Sequence, residues 1–254
     1  MCAEKSFLKK LDIRLLIISR GRSKSIAKNT CRVFPSWVEV LVPESELDEY
    51  EAEIDNPILT VPDSVEGLGQ LRNWILDNFR EETVVMVDDD IKHFYCLTGI
   101  RTRQVNDPDE VVQVIINAAV MAKDAGAHCF GFSQTDIRKY NGTEPFRFNS
   151  WVGCLVGVIG RDYRFRDDKF KVDIDFCLQN LLVDRIVWID NRYWTSQSRD
   201  NNLGGNAKYR TKDEFDKSLK SLLDKWGDCL KIGKHKNQVK LSINVKRRSN
   251  IDYE

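Results

Sequence analysis

The sequence predicts an α/β fold with a mostly parallel central sheet flanked by helices. Three observations lead there. Short β-branched runs alternate with helical segments along most of the chain, the pattern of a parallel sheet with crossover helices. The 254 residues suit one large domain, and 42% hydrophobic with 31% charged residues supplies both a core and a solvated surface. Finally, two polar, chemistry-bearing segments each follow a strand directly, and ligands of such sheets sit beyond the strands' carboxyl ends.

Taken in order, residues 13–18 (Ile-Arg-Leu-Leu-Ile-Ile) read as a buried strand ending at the polar loop Ser19-Arg20-Gly21-Arg22-Ser23. Residues 37–42 form a second strand closed by Pro43, residues 44–53 an acidic helix, and residues 58–62 a third strand. A helix over 71–79 leads to a strand over 83–87 that runs into Asp88-Asp89-Asp90. Asp107-Pro108 opens a helix over 109–125, whose apolar face holds Val111, Ile115, Ala118 and Ala122 and which Gly126 ends. Strands are expected over 128–132 and 151–159, the latter with Gly153 and Gly157 inside it, where a ligand or another backbone approaches closely. A helix begins near 172 and runs to about 182, a strand covers 186–189, and a polar stretch fills 195–206. An amphipathic helix over 212–226 precedes a lysine-rich tail.

The charges balance, with 39 basic and 39 acidic side chains, so bulk charge gives no reason to expect nucleic acid. Their distribution is uneven. Residues 1–38 carry nine basic and two acidic groups, residues 39–90 two and sixteen, and residues 204–254 thirteen and seven. Seven scattered cysteines without a CxxC pair read as reduced thiols. With no signal-peptide pattern and no apolar run long enough for a membrane span, a cytoplasmic protein is expected.

Asp88 and Asp90 are the strongest chemical signal. Alternate residues of an extended segment face one side, and two adjacent carboxylates repel unless a cation neutralises them. All-oxygen ligands suit Mg²⁺ or Mn²⁺ with substrate phosphates completing the shell; a solvated acidic turn is the plainer alternative. The Ser19–Ser23 loop offers guanidinium forks for phosphate or a base edge but is neither GxGxxG nor a Walker loop, and a solvated basic loop is the plainer alternative. Arg72-Asn73 could add a phosphate contact. Asp173 and Asp175 sit at a helix start, where one would cap backbone N–H groups and the other could be a general base. Arg161, Arg164 and Arg166 alternate with Tyr163 and Phe165, suited either to phosphate and base contacts or to solvated arginines beside core aromatics. His235 stands alone between lysines.

The set SRGRS, Arg-Asn, VVMVDDD and VDIDFCLQNLL resembles the GT-A class of nucleotide-sugar glycosyltransferases over roughly residues 11–190. SRGRS, VMVDDDI and Gly204-Gly205 further resemble the TET-associated phage glycosyltransferases, thought to place sugars on 5-hydroxymethylpyrimidines in DNA. The resemblance implies one domain over 1–254, with a basic C-terminal extension over 191–254. It implies a UDP-sugar donor held by Ser19, Arg20, Gly21, Arg22, Arg72, Asp88, Asp89, Gly204 and Gly205, with Mn²⁺ or Mg²⁺ held by Asp88, Asp90 and His235. It also implies Asp173 as the base, in direct displacement with inversion, with Asp175 beside it; Val172 stands where the family usually has an acid. Other readings are a protein or glycan acceptor, a sugar nucleotidyltransferase, and a non-catalytic nucleotide- or DNA-binding module.

Overall fold

Side-chain alternation along the central strands divides the interior into two cores, one on each face of a single sheet. In β1 (Ile13–Ile18), Leu15 and Ile17 face one core while Leu16 and Ile18 face the other. In β4 (Thr83–Asp88), Val85 and Val87 face the first and Val84 and Met86 the second. This is the period of two that a pleated strand imposes, and burial on both faces explains why these runs are continuously apolar. The computed structural model describes residues 3–136, 138, 144–168, 170–197, 211–235 and 238–245.

The chain begins with α1 (Ala3–Lys10), β1, and two single turns of helix, α2 (Ser23–Ile26) and α3 (Thr30–Val33). Next come β2 (Glu39–Pro43), α4 (Leu47–Glu51), β3 (Ile58–Val61), α5 (Leu68–Asn78) and β4. A hairpin of β5 (Ile91–Thr98) and β6 (Arg101–Val105) follows, then α6 (Pro108–Asp124), β7 (Cys129–Ser133), β8 (Phe146–Arg147) and β9 (Leu155–Ile159). The described chain finishes with α7 (Val172–Val183), β10 (Trp188–Gln197), α8 (Lys212–Trp226) and a separate hairpin of β11 (Leu230–His235) and β12 (Gln238–Ile243). Asp107 caps α6 by accepting the Asp109 N–H at 3.0 Å, with Pro108 at the first turn.

The large sheet has ten strands, its main path running β3-β2-β1-β4-β9-β7-β10-β5-β6, with β8 beside β10. Strands β1, β2, β3, β4, β6, β7 and β10 point one way, and β5, β8 and β9 the other, so the sheet is mostly parallel in direction. Helix α6 covers one face with Val111, Ile115, Ala118 and Ala122; α5 and α7 cover the other with Ile75, Leu76, Phe176 and Leu181. Helix α8 docks on α7 through Leu222 against Ile174 and Leu178. Among the described residues no helix is long and apolar enough to cross a membrane.

The sheet differs from expectation in three places. The β5–β6 hairpin follows the aspartates, where its charged, exposed positions hide a strand pattern. Strand β10 continues through polar residues to Gln197, so the central sheet reaches past residue 190. Strand β9 begins only at Leu155, so Gly157 lies inside it and Gly153 in the segment before it, and both make room for the protein's own side chains. A Cβ on Gly157 would lie 2.0 Å from the Phe130 ring, and one on Gly153 would lie 2.7 Å from the Gln134 side chain. Phe130 is fully buried and cannot yield, so Gly157→Ala is expected to cost about 1–3 kcal/mol in urea unfolding, the usual penalty of overpacking.

Candidate active site

Strands β1 and β4 pair in parallel with Ile18 opposite Asp88, so Ser19 and the three aspartates emerge at the same rim. Asp89 turns inward. Its carboxylate, 5% exposed as a residue, accepts from Ser19 Oγ at 2.6 Å and from Arg22 Nη1 at 2.5 Å. Because Ser19 gives its one hydroxyl proton to Asp89, the buried Tyr50 hydroxyl donates to Ser19 Oγ (2.6 Å) and accepts the Arg22 N–H (3.0 Å). The loop after β1 is thereby tied to both α4 and the turn after β4. Gly21, at φ 64°, lets that loop reverse, and its N–H donates to Glu46 Oε2 at 2.6 Å. Arg20 reaches the Val65 carbonyl at 2.9 Å.

Asp88 and Asp90 flank this buckle. The Asp88 N–H donates to the Cys154 carbonyl at 2.7 Å, and the Thr30 hydroxyl bridges the Asp88 carbonyl and the Ile91 N–H, each at 3.0 Å. Gln197 Nε2 donates to Asp90 Oδ1 at 3.2 Å. Behind Asp88 lies Arg72, 1% exposed, its Nη2 3.6 Å from Asp88 Oδ1 and its guanidinium 5.2 Å from the centre of the Phe165 ring. Among the described residues Arg72 Nε and Nη1 have no hydrogen-bond partner. Buried unpaired donors carry a desolvation cost that an anionic ligand would relieve.

Three carboxyl groups at this rim hold their protons more tightly than usual. Burial pushes Asp88 up to about 7; Arg72 opposes the shift, while Asp90, Asp89 and Asp173 add to it. Burial and then Asp89 raise Asp90, against Arg22 and the Gln197 hydrogen bond. Asp173 is also raised by burial, against Arg72, Lys171 and the backbone N–H groups of Ile174 and itself. Arg22 loses some basicity to burial but gains more from Asp89, Asp90 and Asp88, and stays charged. Burial also pushes the Cys31 thiol up to about 12, so it is no nucleophile at neutral pH.

The sequence-predicted residues therefore divide. Asp88, Asp90, Asp173 and Arg72 share one electrostatic cluster, with Arg72 behind the carboxylates. Ser19, Arg22 and Asp89 bond to one another. Asp175 serves elsewhere. Residues two apart on a helix point about 200° from each other, and Asp175, fully buried, accepts from Lys225 Nζ and Trp226 Nε1 at 2.7 Å and Gln179 Nε2 at 2.8 Å. It fastens α8 to α7, a packing role that occupies its carboxylate. Neither acid is the N-cap of α7; that position is Lys171, at φ 55°. Arg161, a candidate phosphate contact, spends its guanidinium on five backbone carbonyls, while Phe165 stacks on Phe176 at 4.1 Å. Gly204 and Gly205 lie outside the described residues, as does the side chain of His235, whose backbone is in β11. Tyr50, Thr30 and Gln197 were missed; nothing local marks them, since their partners lie 28–107 residues away.

Asp88 and Asp90 offer oxygen donors that suit a hard divalent ion with substrate phosphates. Among the described residues no group of three or more His, Cys, Asp or Glu gathers as a metal site.

Residues 13–205 match the model of a family described as TET-associated glycosyltransferase. No curated protein sequence matches the chain. Among solved structures, a mycobacterial protein aligns with TM-score 0.56 at 12% identity, covering 94% of this chain and 85% of that one. Glucosyl-3-phosphoglycerate synthase from Mycobacterium tuberculosis, in complex with Mn²⁺, UDP and glucosyl-3-phosphoglycerate, aligns with TM-score 0.52 at 10% identity, covering 94% and 89%. S. aureus TarS 1–349 in complex with UDP-GlcNAc aligns at TM-score 0.45 and 13% identity, covering 75% of this chain. The chain spans 59% of the length of that TarS structure. At such identities the likeness is one of fold, that of GT-A glycosyltransferases.

Two outcomes follow from the geometry. Asp175→Asn is expected to lower stability by about 1.5–3 kcal/mol in urea unfolding, the range for hydrogen bonds to a charged group, while turnover of the folded fraction persists. Because the folded pKa of Asp88 is raised, its ionisation destabilises the ligand-free protein as pH rises from the ordinary carboxylate range through about 7. Asp88→Asn should therefore raise the thermal midpoint relative to wild type more at pH 8 than at pH 5, and an equal shift at both would contradict the assignment.

Proposed function

The chain belongs to the TET-associated glycosyltransferase family, and from that membership we propose that it moves a sugar from a UDP-sugar to the hydroxyl of a 5-hydroxymethylpyrimidine in DNA, using Mn²⁺ or Mg²⁺. The observation that carries this reading is the rim cluster: Asp88 and Asp173, raised by burial, share the buried cation Arg72, whose unpaired Nε and Nη1 leave positive charge that an anionic ligand at the rim would offset.

A divalent ion held by Asp88 and Asp90 would act as a Lewis acid on the departing diphosphate. Arg72 adds fixed positive charge behind these aspartates, and Arg20 with the Gly21 turn borders the donor side. Asp173 is the base. Its carboxylate takes the proton of the acceptor hydroxyl as that oxygen bonds the anomeric carbon and the bond from that carbon to the diphosphate oxygen breaks. One in-line displacement of this kind inverts the anomeric centre. Burial raises the proton affinity of Asp173, which makes it a stronger base than a solvated aspartate. Binding hydroxyl and sugar together at this rim would remove much of the entropic barrier to their encounter. Gly204, Gly205 and His235 complete the proposed donor and metal set.

Incubation with UDP-sugars, Mn²⁺ and hydroxymethylated DNA should give a nucleoside mass increased by one sugar residue. Asp173→Asn is expected to reduce kcat by about 10²–10⁴-fold, the range of a lost general base, with a thermal midpoint no lower than that of the wild type, because its ionised carboxylate is disfavoured in the fold. Absence of both nucleoside modification and UDP release across a panel of donors would sink the reading.

A further inference from the structure

The reactive rim extends beyond the aspartates. Strands β7 and β10 point the same way as β4, so Ser133 and Gln197 end on the same side of the sheet as Asp88. Around these ends lies an open cleft of about 440 Å³, bordered by Tyr95, Gln134, Thr135, Asp136, Trp194 and Ser196. Gln197 also lines it and joins it to the aspartates through its bond to Asp90 at 3.2 Å.

Tyr95 and Trp194 are cross-strand partners of β5 and β10 and stack at 5.5 Å with planes 14° apart, which gives the cleft an aromatic wall. Amide and hydroxyl groups of Gln134, Thr135 and Ser196 supply polar edges, and the buried Ser196 Oγ has no hydrogen-bond partner among the described residues. Flat aromatic surface beside neutral donors and acceptors is the chemistry that recognises a nucleobase, which stacks by its face and hydrogen-bonds by its edge. A cleft of this volume is in the range of small-ligand sites.

The cleft is also latched to the β5–β6 hairpin. Arg138 pairs with Asp136 and donates to the Ile100 carbonyl (3.3 Å) and Thr102 Oγ1 (3.5 Å). At the hairpin tip Gly99 takes φ 61° and Ile100 is 86% exposed, with exposed Arg101 beside it and exposed Lys92 further along β5. An apolar side chain displayed at a tip beside a cation matches the wedges that proteins insert between base steps.

We infer that this cleft is the acceptor-base pocket: it receives a 5-hydroxymethylpyrimidine taken out of the DNA stack, and Ile100 fills the place the base leaves. The inference rests on the DNA-acceptor reading. A base inside a duplex has both faces stacked on its neighbours, so the Tyr95 and Trp194 wall becomes usable only when the base leaves the helix.

The test compares transfer to one hydroxymethylated sequence, single-stranded and as a duplex, for wild type, Tyr95→Ala, Gln134→Ala and Ile100→Ser. Tyr95→Ala is expected to raise the acceptor KM about tenfold on both forms, the effect of one lost base–aromatic stack, with a far smaller change in donor KM. Gln134→Ala, a loop substitution, gives the same split if Tyr95→Ala folds poorly. Ile100→Ser should lower the duplex-to-single-strand ratio of kcat/KM about fivefold or more, in line with the cost of unstacking a base. Unchanged acceptor KM in both pocket variants overturns the pocket, and an unchanged ratio in Ile100→Ser overturns the wedge, each while leaving the DNA reading intact. A wild type that releases UDP from its donor yet modifies neither DNA form overturns the DNA reading and this inference together.

Discussion

The buried carboxylate of Asp89 holds the loop after β1 against the turn after β4, and the order of the acidic rim depends on that contact. Arg22 neutralises it, Ser19 donates to it, and Tyr50 carries the hydrogen-bond chain into α4. The pair is almost fully shielded, with side chains 10% and 6% exposed, so removing one partner would strand the other at a cost on the order of 3–5 kcal/mol. With the middle aspartate committed inward, Asp88 and Asp90 are left on its two sides. A run of three identical residues thus acquires two jobs: Asp88 ends β4, and the turn that follows sends Asp89 inward and leaves Asp90 at the rim.

Around this anchor the electrostatics are unbalanced. Asp88, Asp90 and Asp173 each resist ionisation, chiefly through burial, and Arg72 is the cation that opposes the shift at both Asp88 and Asp173. Its place is secured by packing on Phe165 and near-complete burial, so it acts as a fixed charge rather than a mobile arm. Perturbed groups collected at one end of a sheet, beyond the strands' carboxyl ends, mark a candidate functional site.

Much of the architecture was legible because it is written in local patterns: the doubly buried runs of β1 and β4, the capped and prolyl-started α6, and the polar segments at strand ends. Tertiary partners were not. Nothing near Asp89 in the chain announces Ser19 or Tyr50, and nothing near Asp175 announces Lys225 and Trp226, fifty residues on. Asp173 and Asp175 look equivalent until the helical angle separates them. The arginines of 161–166 had the composition of a phosphate site, yet Arg161 serves carbonyls left open at the ends of α5 and β9. Strand β5 escaped notice because Lys92 and His93 break its apolar alternation at an edge region where burial is partial.

Strand β9 has a consequence for scale. It runs antiparallel between β4 and β7, so these two same-direction strands are separated by two inter-strand spacings, about 10 Å. The aspartates stand at the end of one and the aromatic cleft begins at the end of the other. Backbone hydrogen bonding, which hardly stretches, therefore acts as a ruler between the two halves of the rim, and Gly157, in its middle strand, leaves the Phe130 ring its place. Selectivity for the length of whatever bridges that gap would then be a property of the sheet, independent of which side chains grip either end.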